Sequence, residues 1–170
     1  MNLYQSFAIG VVLIAVVTDL KSRRIPNLLT LGAALTAVVV HGYVAGWSGI
    51  GMALAGWLVG AAFFFPIFAL GGMGAGDVKL MAAVGAWLGP GAIVWVALYS
   101  SIAGGVMALV VAGFAGYLGQ AFTNLWCLLM YWRIEGPRPV PELTLSSHRG
   151  PRLAYALPVF AGLMVTLWLR

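Results

Sequence analysis

The feature that most constrains this chain is a series of long apolar segments separated by short polar stretches. Of its 170 residues, 62% are hydrophobic and only 8% are charged, which excludes an ordinary soluble domain and a disordered chain. A bilayer crossing takes about 20 apolar residues, so we predict an all-α, polytopic membrane protein with about six transmembrane helices. We expect residues 1–170 to form a single integral-membrane domain. The predicted segments cover residues 3–18, 28–45, 50–70, 77–89, 92–118 and 153–169.

The basic residues predict the orientation of these segments, because cytoplasmic loops of membrane proteins are enriched in Lys and Arg. With six crossings, only Arg170 falls on the opposite side and both termini lie outside the cytoplasm. An additional crossing over residues 114–132 would export the arginine-rich stretch 133–152, so we reject it and interpret 121–132 as a helix extension or an interfacial segment. The side chains on the predicted cytoplasmic side are Lys21, Arg23, Arg24, Lys79, Arg133, Arg138, Arg149 and Arg152.

Several residue types that often carry chemistry are scarce here. Cys127 is the single cysteine, so it has no disulfide partner in the chain, and we expect it to be a small buried side chain. His41 and His148 fall on opposite predicted faces, which argues against a shared metal site. We therefore predict no metal and no cofactor. The lipid bilayer is an expected partner, and nucleic acid is not, because the basic residues form no patch with interleaved aromatics.

The two aspartates, Asp19 and Asp77, are the main candidates for functional residues. Asp19 ends the first segment and Asp77 opens the fourth, so the topology places both at one membrane face. The intervening hairpin could return the chain beside the first segment, which makes proximity possible. Two close carboxylates that share one proton can act as base and acid in peptide hydrolysis. Acids at or in a membrane are costly enough to suggest function.

Each aspartate also has a structural interpretation. Asp19 could form an ion pair in a loop with the neighbouring basic residues, and Asp77 could be a helix N-cap after the glycines of the stretch 71–77. The placement of both aspartates at one membrane face favours the functional interpretation over these structural ones. In support, Gly74 and Gly76 would let an extended substrate approach the backbone. Pro26 and Asn27 begin the second segment, and Lys79 could pair with Asp77 or mark the cytoplasmic boundary, which we favour.

Two motifs resemble those of a known family. The sequence Asp-Leu-Lys-Ser-Arg-Arg-Ile-Pro-Asn at 19–27 resembles the first catalytic motif of prepilin peptidases. The sequence Gly-Ala-Gly-Asp-Val-Lys-Leu at 74–80 resembles their second, the GxGD signature of intramembrane aspartyl proteases. Residues 153–158 look like a weaker form of the family's last-helix segment, with Ala154 where the family usually has proline. We carry no role onto that segment.

The resemblance implies a GxGD aspartyl protease architecture with Asp19 and Asp77 as the catalytic pair. It implies an endopeptidase that removes basic leaders from prepilin or pseudopilin precursors at the cytoplasmic face of the inner membrane. The chain lacks the cysteine-rich insert of larger members, so we expect no methyltransferase activity and a short form of the tight-adherence (Flp) type. Glu135 and Glu142 would contribute local charge. A small transporter or proton relay, or a non-catalytic pilus-assembly component, are the alternatives.

Overall fold

The computed structural model describes residues 2–136, 138 and 153–169, and within them it contains only helices. Glu142, His148, Arg149, Arg152 and Arg170 lie outside the described residues. The prediction of an all-α fold is confirmed for the part of the chain that is described. The helices are α1 (Leu3–Ser22), α2 (Asn27–Ala69), α3 (Ala75–Leu88), α4 (Pro90–Phe114), α5 (Leu118–Glu135) and α6 (Ala156–Leu169).

Helix α2 consists of two arms that meet at Gly46. A straight helix of its 43 residues would measure about 65 Å, roughly twice the hydrocarbon thickness of a bilayer. Gly46 has φ 60° and ψ −142°, a conformation that a residue with a side chain rarely adopts. Beyond it, the backbone of Gly49 packs so closely on the carbonyl group of His41 that an added Cβ would overlap it. The chain therefore folds back as a hairpin, with arms over 27–45 and 47–69, as the predicted second and third segments required.

Helix α3 lies at the centre of the bundle, and from Val78 to Trp87 only Lys79 is not buried. The second arm of α2 packs against it backbone to backbone, because Gly56 meets the carbonyl of Gly85 and Gly60 meets that of Met81. This arm therefore runs antiparallel to α3. Small residues at such contacts are typical of helix packing in membranes.

Two contacts of Trp87 define the end of the bundle that lies opposite Asp77. On α1, the ring of Phe7 stacks on Trp87 with centroids 4.7 Å apart. On the first arm of α2, an imidazole nitrogen of His41 lies 3.2 Å from the carbonyl oxygen of Trp87. Helix α1 therefore runs antiparallel to α3, and the first arm of α2 runs parallel to it. Trp87 is a core residue and not part of an exposed aromatic belt.

Helices α4 and α6 complete the bundle as an antiparallel pair. Gly162 lies against the backbone of Ser100, and Gly104 lies against the ring of Tyr155. This pairing brings the start of α6 to the end of the bundle that holds the end of α1 and the start of α3. We call it the aspartate end.

Three helices, α1, α2 and α4, are long and apolar enough to cross a bilayer, and α6 is a shorter apolar helix. Many large apolar side chains of these helices are exposed, as expected for lipid-facing surfaces of a multi-pass membrane protein. Several boundaries differ from the prediction. Helix α1 continues to Ser22, beyond 18, and α6 begins at Ala156, after 153. Helix α4 ends at Phe114, not near 118, because Gly116 adopts φ 75°. The chain then enters a separate helix, α5, where Cys127 is exposed; its predicted burial was wrong because the described part of α5 has no covering neighbour.

Candidate active site

Asp19 lies in the last turn of α1 and not in the loop that follows it. The helix continues to Ser22 and ends because Arg23 adopts a left-handed conformation, from which its N–H donates to the carbonyl oxygen of Asp19 at 2.8 Å. The side chain of Asp19 is only 7% exposed. The alternative that it is a loop residue is therefore wrong.

Asp77 lies in the first turn of α3. The N-cap position belongs to Gly74, so the N-cap interpretation of Asp77 is wrong. An acidic side chain in the first turn interacts favourably with the helix dipole. A Cβ at position 74 would lie 3.1 Å from Oδ2 of Asp77, so the glycine leaves room for the carboxylate. Asp77 itself is partly exposed.

The antiparallel packing of α1 and α3 brings these two aspartates together. The C-terminal end of α1 lies beside the N-terminal end of α3, and the carboxyl groups are close enough to repel one another electrostatically when both are charged. The sequence made this proximity possible, and the tertiary structure provides it. Two such groups, in a site with limited access to water, are suited to sharing a proton.

The start of α6 adds a third element to the site. The backbone N–H of Ala156 donates a hydrogen bond of 3.3 Å to Oδ2 of Asp19, in a buried position. The neighbouring Tyr155 lies within electrostatic range of Asp77. Its ring meets Phe64 edge-on, with centroids 5.7 Å apart, and its hydroxyl donates to the carbonyl oxygen of Ser100 at 3.4 Å. Ala156 thus contacts Asp19 directly, and Tyr155 lies within electrostatic range of Asp77.

Sequence reasoning missed the contribution of these two residues. The signal was present, because residues 153–158 carry the weak resemblance to the last-helix segment of the family. No role followed from that resemblance, since Ala154 replaces the usual proline. Only the antiparallel pairing of α4 and α6 shows that this segment returns to the aspartates.

The two sequence motifs also contact each other through residues other than the aspartates. The Lys79 ammonium donates to Oδ1 of Asn27 at 2.9 Å. Asn27 is the first residue of α2 and directly follows Pro26, which occupies the N-cap position. Gly76 packs against Ile25, whose Cβ would lie 3.3 Å from an added Cβ. Gly76 therefore packs the start of α3 against the loop after α1, and Lys79 links α3 to the start of α2. Lys79 is exposed, as expected for a residue at the membrane boundary.

The remaining candidate side chains lie elsewhere. His41 stacks on Tyr4 at the opposite end of the bundle, with ring centroids 4.4 Å apart. Ser100 is fully buried between α4 and α6. Glu135 is exposed at the end of α5. Within the described ranges, the acidic side chains at the aspartate end are therefore Asp19 and Asp77, and Tyr155 and Lys79 lie at the same end.

Comparisons with known proteins agree on one family. The sequence profile of the type IV leader peptidase family matches residues 6–109, which include both aspartates. Two curated proteins of Aeromonas salmonicida, one of them from strain A449, are each 37% identical over 97 residues, or 54% of this chain. Both are described as a prepilin leader peptidase/N-methyltransferase. The match covers 33% of the length of these relatives. No solved structure matches the chain.

Proposed function

Because this chain belongs to the type IV leader peptidase family, we propose that it is an aspartic endopeptidase that removes the leader from type IV prepilin-like precursors. The observation that carries the proposal is the meeting of Asp19 and Asp77 at the junction of α1 and α3. The similarity of the chain to proteins described as prepilin leader peptidases supports the substrate class.

The pair would act on a water molecule held between the carboxyl groups. The ionised carboxylate takes a proton from the water, whose oxygen attacks the scissile carbonyl carbon. The protonated partner gives its proton to the carbonyl oxygen. When the C–N bond breaks, the protonated carboxyl gives its proton to the leaving amine. The other carboxylate takes a proton from a hydroxyl of the gem-diol as the carbonyl re-forms, so the pair again holds a single shared proton. The step needs no metal and no cofactor. Activity should fall in acid, where both groups are protonated, and in alkali, where both are ionised.

The start of α6 would hold one member of this pair in place. The N–H of Ala156 fixes one oxygen of Asp19, and that oxygen is then not free to rotate towards the water. Gly74 leaves space on the other side, next to Asp77. Gly74 and Gly76 would therefore support the geometry of the site, with Pro26, Asn27 and Lys79 linking its two motifs.

The proposed orientation places the aspartate end at the cytoplasmic face of the inner membrane. Lys21, Arg23, Arg24 and Lys79 lie at this end, whereas the Gly46 turn, the Gly89 junction and the adjoining ends of the helices carry no Lys or Arg among the described residues. The positive-inside rule then puts the ends of the chain outside the cytoplasm. The apolar helix of the precursor would pack against the enzyme's helices, and its leader would remain in the cytoplasm.

We further propose that residues 1–170 act as one peptidase domain without methyltransferase activity, in a system of the tight-adherence type. Larger family members carry cysteine pairs in the domain linked to methylation, and this chain contains only Cys127. The mature N-terminus of a processed pilin should therefore remain unmethylated, which mass spectrometry of the product would show.

The test is co-expression with a candidate precursor of the prepilin class. Asp19→Asn and Asp77→Asn keep the shape of each side chain and remove its charge, and each should reduce leader cleavage by at least 100-fold. Glu135→Gln is the matched control, since it neutralises an exposed acid at the end of α5, outside both motifs, and should process normally. Immunoblots of membranes would establish equal amounts of enzyme. Normal cleavage by either Asn variant would refute the aspartic mechanism.

A further inference from the structure

Helix α5 differs from the other helices of the bundle in having no buried side chain among its described residues. It has 18 residues and follows α4 after a three-residue turn, where Gly116 adopts φ 75°. The rings of Phe122 and Trp126 are 61% and 62% exposed. Apolar side chains of this size are costly to leave in water, so this helix needs a partner that the bundle does not provide.

The residues of α5 divide into two faces. At 100° per residue, the large apolar side chains among residues 118–126, together with Leu129, recur at the spacing of one helix face, and Cys127 lies directly opposite Leu118. Beyond Leu129 the division is less strict, because Ile134 falls on the side of Cys127 and Arg133 on the side of Leu118. The apolar face contains Leu118, Phe122, Leu125, Trp126 and Leu129. The opposite face contains Gln120, Thr123, Asn124 and Cys127. The charged residues Arg133 and Glu135 are confined to the last turn.

We propose that α5 lies flat in the headgroup region of the bilayer, on the side of the membrane where the aspartate end is found. Its apolar face would be buried in the acyl boundary, and its polar face would be exposed to water. An amphipathic helix of this kind typically inserts its apolar face by about 5–10 Å. This proposal rests on the multi-pass character of the chain and is independent of the proposed peptidase activity.

Continuity with α4 identifies lipid as the partner. The last part of α4 carries exposed apolar side chains, including Val106, Leu109, Val110 and Phe114, in a helix long enough to cross the bilayer. Because only residues 115–117 separate the two helices, α5 begins at the membrane boundary. Trp126 and Trp132 are residues that favour this interface.

A transmembrane course for α5 is disfavoured by its composition and by charge. The helix is not apolar enough to be counted with α1, α2 and α4 among the candidate spans. A crossing would also bury Gln120, Thr123 and Asn124 in hydrocarbon. It would move Arg133 and Arg138 to the side opposite Lys21, Arg23 and Arg24, against the positive-inside rule.

The single cysteine makes the proposal testable with the full-length protein. A nitroxide attached to Cys127, in protein reconstituted into phosphatidylethanolamine and phosphatidylglycerol vesicles, reports collisions with oxygen and with a water-soluble nickel chelate. The same label at Leu125→Cys or Leu129→Cys, each in a Cys127→Ser background, reports on the apolar face. Collision measurements do not depend on the orientation of the protein in the vesicle.

We expect the label at Cys127 to collide mainly with the nickel chelate. At positions 125 and 129, the ratio of oxygen collisions to nickel collisions should be at least fivefold higher than at Cys127. Oxygen-dominated collisions at all three positions, with Cys127 near the bilayer centre about 15 Å deep, would mean that α5 crosses the membrane. Nickel-dominated collisions at all three would mean a helix in water. Either result would overturn the proposal. Cys127 needs no substitution, so its own depth tests the proposal even if the other variants fail to fold.

Discussion

Contacts from three separate helices hold the aspartates in their positions. Asp19 accepts the N–H of Ala156 from α6, and Asp77 lies against Gly74 at the start of α3. At the rim, Lys79 joins α3 to Asn27 of α2. A single hydrogen bond of this kind contributes about 1 kcal/mol. At the residue scale the site is therefore maintained by several modest contacts, and each can be tested by substitution.

The first prediction concerns the bond between Lys79 and Asn27. Lys79→Ala and Asn27→Ala should each lower the rate of leader cleavage by roughly fivefold, corresponding to about 1 kcal/mol. The double variant should lose no more than either single variant, because both remove the same contact. Asn27→Asp keeps an acceptor oxygen for Lys79 and should restore most of the rate. Fully additive losses would show that the two residues act separately.

The second prediction separates the ring of Tyr155 from its hydroxyl. The ring contacts Phe64 and Gly104, whereas the hydroxyl makes its hydrogen bonds on α4, to the carbonyl of Ser100 at 3.4 Å and to the side chain of Ser101. Tyr155→Phe should therefore keep cleavage within about threefold of wild type. Tyr155→Ala removes the ring that packs on Phe64 and Gly104 next to Ala156, the partner of Asp19, and should cost at least tenfold in kcat. A Phe variant as inactive as the Ala variant would instead assign a chemical role to the hydroxyl.

At the scale of elements, the packing of α3 against the second arm of α2 determines where Asp77 lies. Backbone meets backbone at Gly56 and Gly85, and again at Gly60 and Met81. Close approach maximises van der Waals contact, which is a main source of helix association in a membrane. Glycine at these positions has a packing function, and a methyl group there would push the helices apart.

The third prediction compares two glycines of this arm. Gly56→Ala inserts a methyl group into the backbone of Gly85 and should destabilise the protein by about 1–3 kcal/mol. Gly51→Ala is the matched control, since nothing lies within 4 Å of its added Cβ. It should be neutral or slightly stabilising, because alanine favours a helix. Thermal unfolding in detergent would measure both. Equal melting temperatures would contradict the close contact.

At the scale of the whole molecule, the aspartate end and the Gly46 end lie at opposite ends of the helix bundle. Helix α1 and the second arm of α2 both run antiparallel to α3, so polar loops collect at one end and the glycine turn at the other. The proposed function requires the first of these ends to face the cytoplasm, where basic leaders are found.

The fourth prediction tests this orientation with a pair of exposed serines in a Cys127→Ser background. Ser48 lies at the Gly46 turn, and Ser22 ends α1 near the aspartates. In spheroplasts, a membrane-impermeant maleimide should label Ser48→Cys and not Ser22→Cys. Inverted vesicles should show the reverse. Labelling of Ser22→Cys from outside would place the aspartates on the wrong side for the proposed reaction.

The helical class, the approximate number of segments and the placement of Asp19 and Asp77 at one end of the bundle could be predicted from the sequence alone. Apolar runs report directly on burial in lipid, since a bilayer imposes a minimum length on each crossing. Helix ends were less predictable, because they depend on local backbone conformations such as the left-handed Arg23 and Gly116. Burial was also misjudged at Cys127, because an apolar segment does not reveal whether a neighbour covers it.

The sequence by itself thus determined that the chain is helical and membrane-spanning, and it contains the two motifs and Gly46, at which the α2 hairpin turns. The tertiary structure alone decided that the start of α6 reaches the aspartates, with Ala156 bonded to Asp19 and Tyr155 beside Asp77. The same holds for the bond between Lys79 and Asn27, which are 52 positions apart. Contacts between residues so far apart in the sequence depend on how the helices pack. Helix packing depends on the fit between helix surfaces, and those surfaces meet only in the folded chain.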